Sequence, residues 1–411
     1  MSDSTTNNSP LSKLRVLDLT QFLSGPYATQ ILGDLGAEVI KIEPHDGELT
    51  RHLPPHFVGE DSVYYLSCNR NKRSCAIDLK NSRGRELAQQ LALSSDIVIE
   101  NFRPGVAERL GLSYDALSKV KPGLIWCSIS GFGQDGPYRN RPAYDMIVQA
   151  MSGGMSMTGD RDGNSVRSGI PLGDLSAGMY AVIGVLAAVE DRRHSGRGRY
   201  IDVSMLDCQV AMLSYQAAYY LHSSQAPQRQ GNSHDSIPTY RAFKAGDDVD
   251  VVITANTERM WQGLCKVLGL DALADDPRFR INGDRLRNKD ELWPLLEAAF
   301  RGKTAEEWVD RLLEAEIPAA AVNTLDRTFR DPQVLHRNML TTMESDTGNR
   351  ASVAGNPIKF RHMEERAPKY PPALGEDSAA ILADVLGLSG SEVSQLVAAG
   401  VVSAGRKAKA G

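Results

Sequence analysis

LRVLDLTQFLSGPYATQILGDLGAEVIKIE, residues 14–43, decides the fold class of this chain. LRVLDL reads as a buried strand, TQFLSGP as a loop, YATQILGDLGA as a helix and EVIKIE as a second strand. Gly25-Pro26 marks the start of the helix, because proline has no N–H to leave unsatisfied in a first turn. The unit is therefore β-α-β. It lacks G-x-G-x-x-G between strand and helix, which excludes the dinucleotide fingerprint.

The pattern continues outward. SRGRELAQQLALSS reads as helix, DIVIE as strand, GVAERLGLSYDALSKV as helix and GLIWCSIS as strand. Such alternation predicts a mostly parallel sheet with helices on both faces. After Ile201-Asp202-Val203 the character changes. MLDCQVAMLSYQAAYYLHSSQ is helix-like and runs into polar APQRQGNSHDSIPT, and a hairpin follows with its turn at Gly246-Asp247. Helical segments then run to about Glu316, and strand-like VLHRNMLTTME and ASVAGNPIKF precede two closing helices, SAAILADVLG and GSEVSQLVAAGVV. The predicted division is α/β: residues 1–205 are the N-terminal part of a large domain and 206–224 a linker. Residues 225–325 form a smaller α+β domain, and 326–411 a linker with a return to the large domain.

At 411 residues two domains are expected. A formal net charge of -5 gives no electrostatic reason to expect nucleic acid or an anionic membrane as partner. Five scattered cysteines (Cys68, Cys75, Cys127, Cys208, Cys265) without a CxxC pair predict buried, reduced thiols in a cytoplasmic protein, with no metal site. MSDSTTNNSPLSK has no apolar core and is expected to be a disordered tail, as is GRKAKAG. The apolar stretch Leu175–Val189, bracketed by Asp174 and Glu190-Asp191-Arg192-Arg193, is too short to span a bilayer and predicts a buried core helix.

Chemical signals are sparse. Asp174, between Gly173 and that helix, is either an N-cap or a nucleophile; on either reading helix N–H groups and the macrodipole would keep its carboxylate ionised. Arg70, Lys72, Arg73, Lys80, Arg103 and Arg109 lie near strand-like segments and suit either a solvated surface or an anionic, phosphate-bearing ligand. Asp145, after Tyr144 at the start of an apolar helix, is a second candidate cap. His234 stands in a polar loop with no histidine spaced to form a metal site, and no G-x-S-x-G elbow exists.

Taken in order, LDLTQFLSGPYATQILGDLGAEVIKIEP, NRNKRS, VIENFRPGVAERLGL, GFGQDGPY, AYDMIVQAMSG, PLGDLSAGMYAVIGVLAA and SGRGRYIDVSMLD resemble the class III CoA-transferase family. This is the formyl-CoA and carnitine-CoA transferase group, which also holds α-methylacyl-CoA racemase. The likeness runs from about Leu14 to Val402. It implies a Rossmann-like large domain built from both chain ends, a small central domain and an interlocked homodimer. It also implies CoA thioesters as substrates without a permanently bound cofactor.

On the same resemblance Asp174 falls at the catalytic aspartate, Lys80, Asn101, Phe102 and Arg109 line the CoA site, and Tyr144 and Asp145 stand beside the thioester. Pro44 replaces an arginine of some relatives, with Arg51 as a candidate substitute. Racemase members carry a histidine where this chain has Tyr144, and a phenol of pKa about 10 is a poor base for their proton transfer. GNSHDSIPTYRAF resembles members that use succinyl-CoA and a small dicarboxylate; Arg167 and His234 are candidates for gripping the distal carboxylate.

Overall fold

The computed structural model describes residues 9–405; most of the N-terminal tail and all but the first residue of GRKAKAG lie outside them. Two compact units are formed. Met155–Val166 with Ser223–Pro332 make the smaller one, and the remaining described residues the larger.

In the larger unit, β1 (Arg15–Leu19), β2 (Glu38–Glu43), β3 (Lys72–Ile77), β4 (Ile97–Glu100), β5 (Ile125–Ser130), β6 (Tyr200–Ser204) and β7 (Val402–Ser403) form one sheet. Its order is β7-β3-β2-β1-β4-β5-β6. The first six strands are parallel, with Leu17 of β1 opposite Ile40 on one side and Val98 on the other. Only β7 runs antiparallel, Val402 facing Ile77. This is the doubly wound order, in which the direction of winding reverses between β1 and β4 and opens a crevice beyond their carboxyl ends.

Strand alternation builds a core on each face. Val16, Val39, Ile97, Ile99 and Ile125 pack with Ala28 and Leu32 of helix α1 (Ser24–Asp34) and with Ala177, Ala181 and Val185. Leu17, Ile40, Val98 and Trp126 face Leu87 and Leu91 on one helix and Ile381, Leu382 and Leu396 from the C-terminal pair. The chain end thus supplies both a strand and part of this core.

Two expected helices are each split. GVAERLGLSYDALSKV becomes Val106–Arg109 and Tyr114–Val120, separated at Gly111 (φ +78°). The 206–224 stretch is helical, Met205–Met212 and Tyr215–Ser223, interrupted at Ser214 (φ +50°). A left-handed residue cannot continue a right-handed helix, and hydrophobic periodicity does not register it.

Three further helices of this unit frame the site: α2 (Val63–Cys68), α3 (Asp145–Met151) and α4 (Leu172–Ser195). α4 has 24 residues and ends on Gly196 at φ +68°. It is longer than the stretch read from sequence, and by length and hydropathy it could cross a membrane; half of its apolar window is buried within the unit. Its other face exposes Met179, Tyr180 and Ile183, so the core-helix expectation holds for one side only. A Cβ on Gly178 would lie 2.7 Å from the Ser24 carbonyl oxygen. Only glycine allows α4 that close to the first turn of α1.

The smaller unit pairs Tyr240–Lys244 with Asp250–Thr254 as an antiparallel hairpin, and Ala319–Ala321 adds a third strand. Helices Glu258–Leu268, Lys289–Phe300 and Ala305–Glu314 bury Trp261, Leu264, Leu296, Phe300, Trp308 and Leu312 against Phe243 and Val251. All five cysteines are buried and unpaired.

Candidate active site

Polar side chains join the loops that follow β1 and β4. β4 ends at Glu100, and the next residue, Asn101, accepts the Gln21 N–H (2.8 Å) and donates to the Gln21 carbonyl (2.8 Å) and the Ser24 hydroxyl oxygen (3.5 Å). The Ser24 hydroxyl, in the first turn of α1, favours the charged form of Asp174. The β1–α1 turn, the end of β4 and the start of α4 thereby meet.

Asp174 is not the cap of α4. It is the third residue of the helix, and Pro171 occupies the N-cap position without a side-chain bond. The capping carboxylate comes from another helix. Asp145, the first residue of α3, accepts the Gly173 N–H at 2.7 Å through Oδ1, and Gln149 Nε2 at 2.7 Å through Oδ2. A side chain on Gly173 would strike Val148 (2.7 Å) and Asp145 Oδ1 (3.0 Å), so glycine is required there.

This arrangement corrects the expectation that Asp174 stays fully ionised. Burial, and then the negative charge of Asp145, push its carboxyl up to about 7, against the opposing effect of the Ser24 hydroxyl. The helix N-terminus does favour a carboxylate. Desolvation and a second carboxylate outweigh that here.

Tyr64 of α2 was not singled out by the sequence, where it is one of two adjacent tyrosines. Burial raises its phenol well above the ordinary value, with Cys68, Asp174, Glu48 and Asp145 adding to the effect. The half-exposed phenol therefore remains a neutral hydrogen-bond donor throughout the neutral range. Tyr144 is exposed, its ring packed edge-on against Phe22 at 5.8 Å.

The basic residues separate into two groups. Lys72 is buried and pairs with Asp18 at 3.0 Å; Arg70 holds Asp34 at 2.6 Å, and Arg73 holds Glu38 at 2.7 Å. Burial would raise the Asp18 carboxyl, but Lys72 and Lys41 with the Thr20 and Thr29 hydroxyls hold it down at about 2. Arg51 is buried, bidentate on Glu43 (both 2.7 Å) and stacked on Tyr65, so it is not an available phosphate ligand. Lys80, Arg103 and Arg109 are exposed and make no ion pair among the described residues. Phe102 is half-buried against the core, its N–H donating to Glu100 Oε2 at 2.7 Å.

Arg167 is exposed in the larger unit, beside Ser168, whose N–H donates to Gln149 Oε1 at 3.0 Å. His234 belongs to the smaller unit. Its ring stacks on Tyr240, and its Nδ1 accepts the Ser236 N–H at 3.1 Å.

The model of CoA-transferase family III matches residues 11–378, and the chain belongs to this family. It is a CoA-transferase. The chain is 39% identical over 394 residues to the succinyl-CoA:glutarate CoA-transferase of Mus musculus, covering 96% of this chain and 90% of that protein. It is 36% identical over 392 residues to the succinate–glutarate CoA-transferase of Agrobacterium fabrum, covering 94% and 98%. The crystal structure of a CAIB/BAIF family protein from Brucella suis superposes with a TM-score of 0.83 at 36% identity, covering 92% of this chain and 100% of that one.

Proposed function

We propose that the chain moves CoA from succinyl-CoA to a small dicarboxylate through an aspartyl-CoA thioester on Asp174. The observation that carries the site reading is the Asp174 carboxyl itself, partly buried in the first turn of α4, which Asp145 caps at the Gly173 N–H (2.7 Å) beside a doubly wound switch point. The substrate class is supported by relatives that act on succinyl-CoA and glutarate across nearly the whole chain.

In the first step the Asp174 carboxylate attacks the thioester carbonyl, the C–S bond breaks, and a mixed anhydride and CoA thiolate form. The thiolate then attacks the Asp174 carbonyl, releasing the donor carboxylate and leaving aspartyl-CoA. An acceptor carboxylate displaces CoA to give a second anhydride. Thiolate attack on the acceptor's acyl carbon finally regenerates the Asp174 carboxylate. Donor and acceptor are both carboxylates, so the exchange is close to isoenergetic and the rate must come from positioning and oxyanion stabilisation. Tyr64, whose phenol stays protonated, is proposed to donate to an oxyanion formed next to Asp174. Lys80, Asn101, Phe102 and Arg109 are proposed to line the CoA path, with Tyr144 and Asp145 beside the thioester. Arg167, in the larger unit, and His234, in the smaller, are each proposed as a separate candidate for binding the acceptor's distal carboxylate.

One experiment with two readouts tests this. Enzyme incubated with succinyl-CoA and quenched with hydroxylamine is expected to carry its modification at Asp174, located by peptide mass mapping. Turnover with a panel of dicarboxylates is expected to show KM raised about tenfold or more in Arg167→Ala and His234→Ala, the loss of one charge-assisted bond each. No modification at Asp174 overturns the mechanism; unchanged KM for every acceptor overturns the two grips.

We also propose a homodimer. The family resemblance and the exposed Met179, Tyr180 and Ile183 on α4 support it. Light scattering is expected to give twice the chain mass, and a monomer at micromolar concentration would overturn it.

A further inference from the structure

Every backbone polar group of three consecutive residues in the β1–α1 turn is held by a side chain. The Thr20 N–H donates to Asp18 Oδ1 (2.8 Å), and the Thr20 carbonyl accepts from Lys41 Nζ (2.8 Å). Asn101 takes both groups of Gln21. The Phe22 N–H donates to Glu48 Oε2 (3.0 Å), and the Phe22 carbonyl accepts from Cys68 Sγ (3.6 Å). Phe22 itself sits at φ +62°, a left-handed conformation that a bulky residue keeps only when its surroundings over-determine it. A loop with ordinary surface freedom would leave such groups to water.

We infer that Glu48 is a positioning residue for the reaction. It fixes Phe22 in its left-handed turn, so that Phe22 backs Tyr144 and the next turn presents the Ser24 hydroxyl to Asp174. Glu48 is buried, and both its oxygens are used. Oε2 takes Phe22, while Oε1 accepts the Thr50 hydroxyl (2.7 Å) and Asn69 Nδ2 (3.4 Å), with Lys41 Nζ at 3.6 Å. Nothing places it within reach of the reacting atoms. Its influence passes through the backbone of Phe22 and the side chain of Ser24. The inference rests on Asp174 being the nucleophile.

Two variants separate reach from charge. Glu48→Asp keeps the charge opposite Lys41 but withdraws the oxygen from the Phe22 N–H. Glu48→Gln keeps the reach and an acceptor oxygen for the Phe22 N–H, removes the charge, and turns an amide NH2 group toward Thr50, Asn69 and Lys41. Positioning predicts that Glu48→Asp lowers kcat about 100-fold, the loss typical of misplaced reacting groups, with KM for succinyl-CoA little changed. Glu48→Gln is expected to retain kcat to within about tenfold.

The pH profile supplies a readout that stability alone would not move. Asp174 is faced by Asp145 from α3, Tyr64 from α2 and the Ser24 hydroxyl from α1; Glu48 is faced by Lys41, Cys68, Tyr64 and Tyr65. Displacing the Ser24 hydroxyl removes the group that favours the charged form of Asp174. The acid limb of kcat/KM therefore moves to higher pH in Glu48→Asp and stays in place in Glu48→Gln.

If Glu48→Asp keeps the wild-type kcat and acid limb, or Glu48→Gln is the more impaired of the two, the positioning role is overturned. Thermal melts of both variants identify any that fail to fold, and the folded one alone still decides the matter. Hydroxylamine trapping at Asp174 in the wild type keeps the two readings apart. An absent adduct defeats the nucleophile assignment, whereas an adduct with an unmoved Glu48→Asp profile defeats only this inference.

Discussion

Asp174→Asn is expected to abolish CoA transfer and at the same time to stabilise the fold above pH 7. The activity loss follows from replacing the attacking carboxylate by an amide that cannot form the anhydride, and is expected to be about 10⁴-fold or more. The stability gain follows from linkage. The Asp174 carboxyl titrates near the ordinary value of 3.8 in the unfolded chain and at about 7 in the fold, because burial and Asp145 disfavour its charge. Between those two values the unfolded state ionises and the folded state holds its proton. Any stability due to that protonated carboxyl is present below the unfolded pKa and is lost as pH rises through the folded pKa. The wild type therefore loses stability between pH about 4 and about 7 and levels off above that. An uncharged Asn escapes the loss. At pH 8 the difference is about 2–4 kcal/mol, the upper figure being the whole shift at about 1.4 kcal/mol per unit. Urea melts of both proteins from pH 4 to pH 8.5 read it directly. A stability difference that does not grow with pH would show that the carboxyl is not desolvated. The same ionisation sets the rate: kcat/KM of the wild type is expected to rise through pH about 7, as Asp174 gains the charge it needs to attack.

How much of this was legible in the sequence depends on whether a feature is written locally. The β-α-β opening was, since its strands are short apolar-rich runs and Gly25-Pro26 punctuates them. The helix breaks at Gly111 and Ser214 were not, because each depends on one left-handed residue inside a periodic pattern. Asp18, Lys41 and Lys72 carry no sign of a shared role in the sequence, yet all three are buried, with Lys72 paired to Asp18. That pairing joins residues 54 apart in the chain and leaves no local mark. The same reason explains Arg51, which had seemed a possible phosphate ligand and is instead spent on Glu43. For Asp174 the position was legible and the charge state was not. Local reasoning supplied the helix N-terminus, which lowers a carboxyl pKa. It could supply neither the burial nor the carboxylate of Asp145, 29 residues earlier, which together raise it.

Asp145 offers the second decisive test, because it does two separable things. Through Oδ1 it caps α4 at the Gly173 N–H, and through its charge it raises the Asp174 pKa. Asp145→Ala removes both. Loss of the cap leaves Gly173 and Gln149 without their partner and is expected to destabilise the fold by about 1–2 kcal/mol. Loosening the first turn of α4 displaces the nucleophile and is expected to lower kcat about 100-fold. Asp145→Asn removes the charge and keeps an oxygen for Gly173 but turns an amide N–H toward Gln149 Nε2, so it should lose less stability and less activity than Asp145→Ala. Both variants delete the negative charge beside Asp174, and in both the acid limb of kcat/KM should move below about 7, since a like charge no longer opposes ionisation. A limb that stays put in both would mean that burial alone sets the Asp174 pKa. Ser24→Ala provides the opposite sign, because it removes the hydroxyl that favours the charged form, and its limb should move upward. Two neighbours of one carboxyl shifting the same profile in opposite directions would be hard to produce by a general loss of stability.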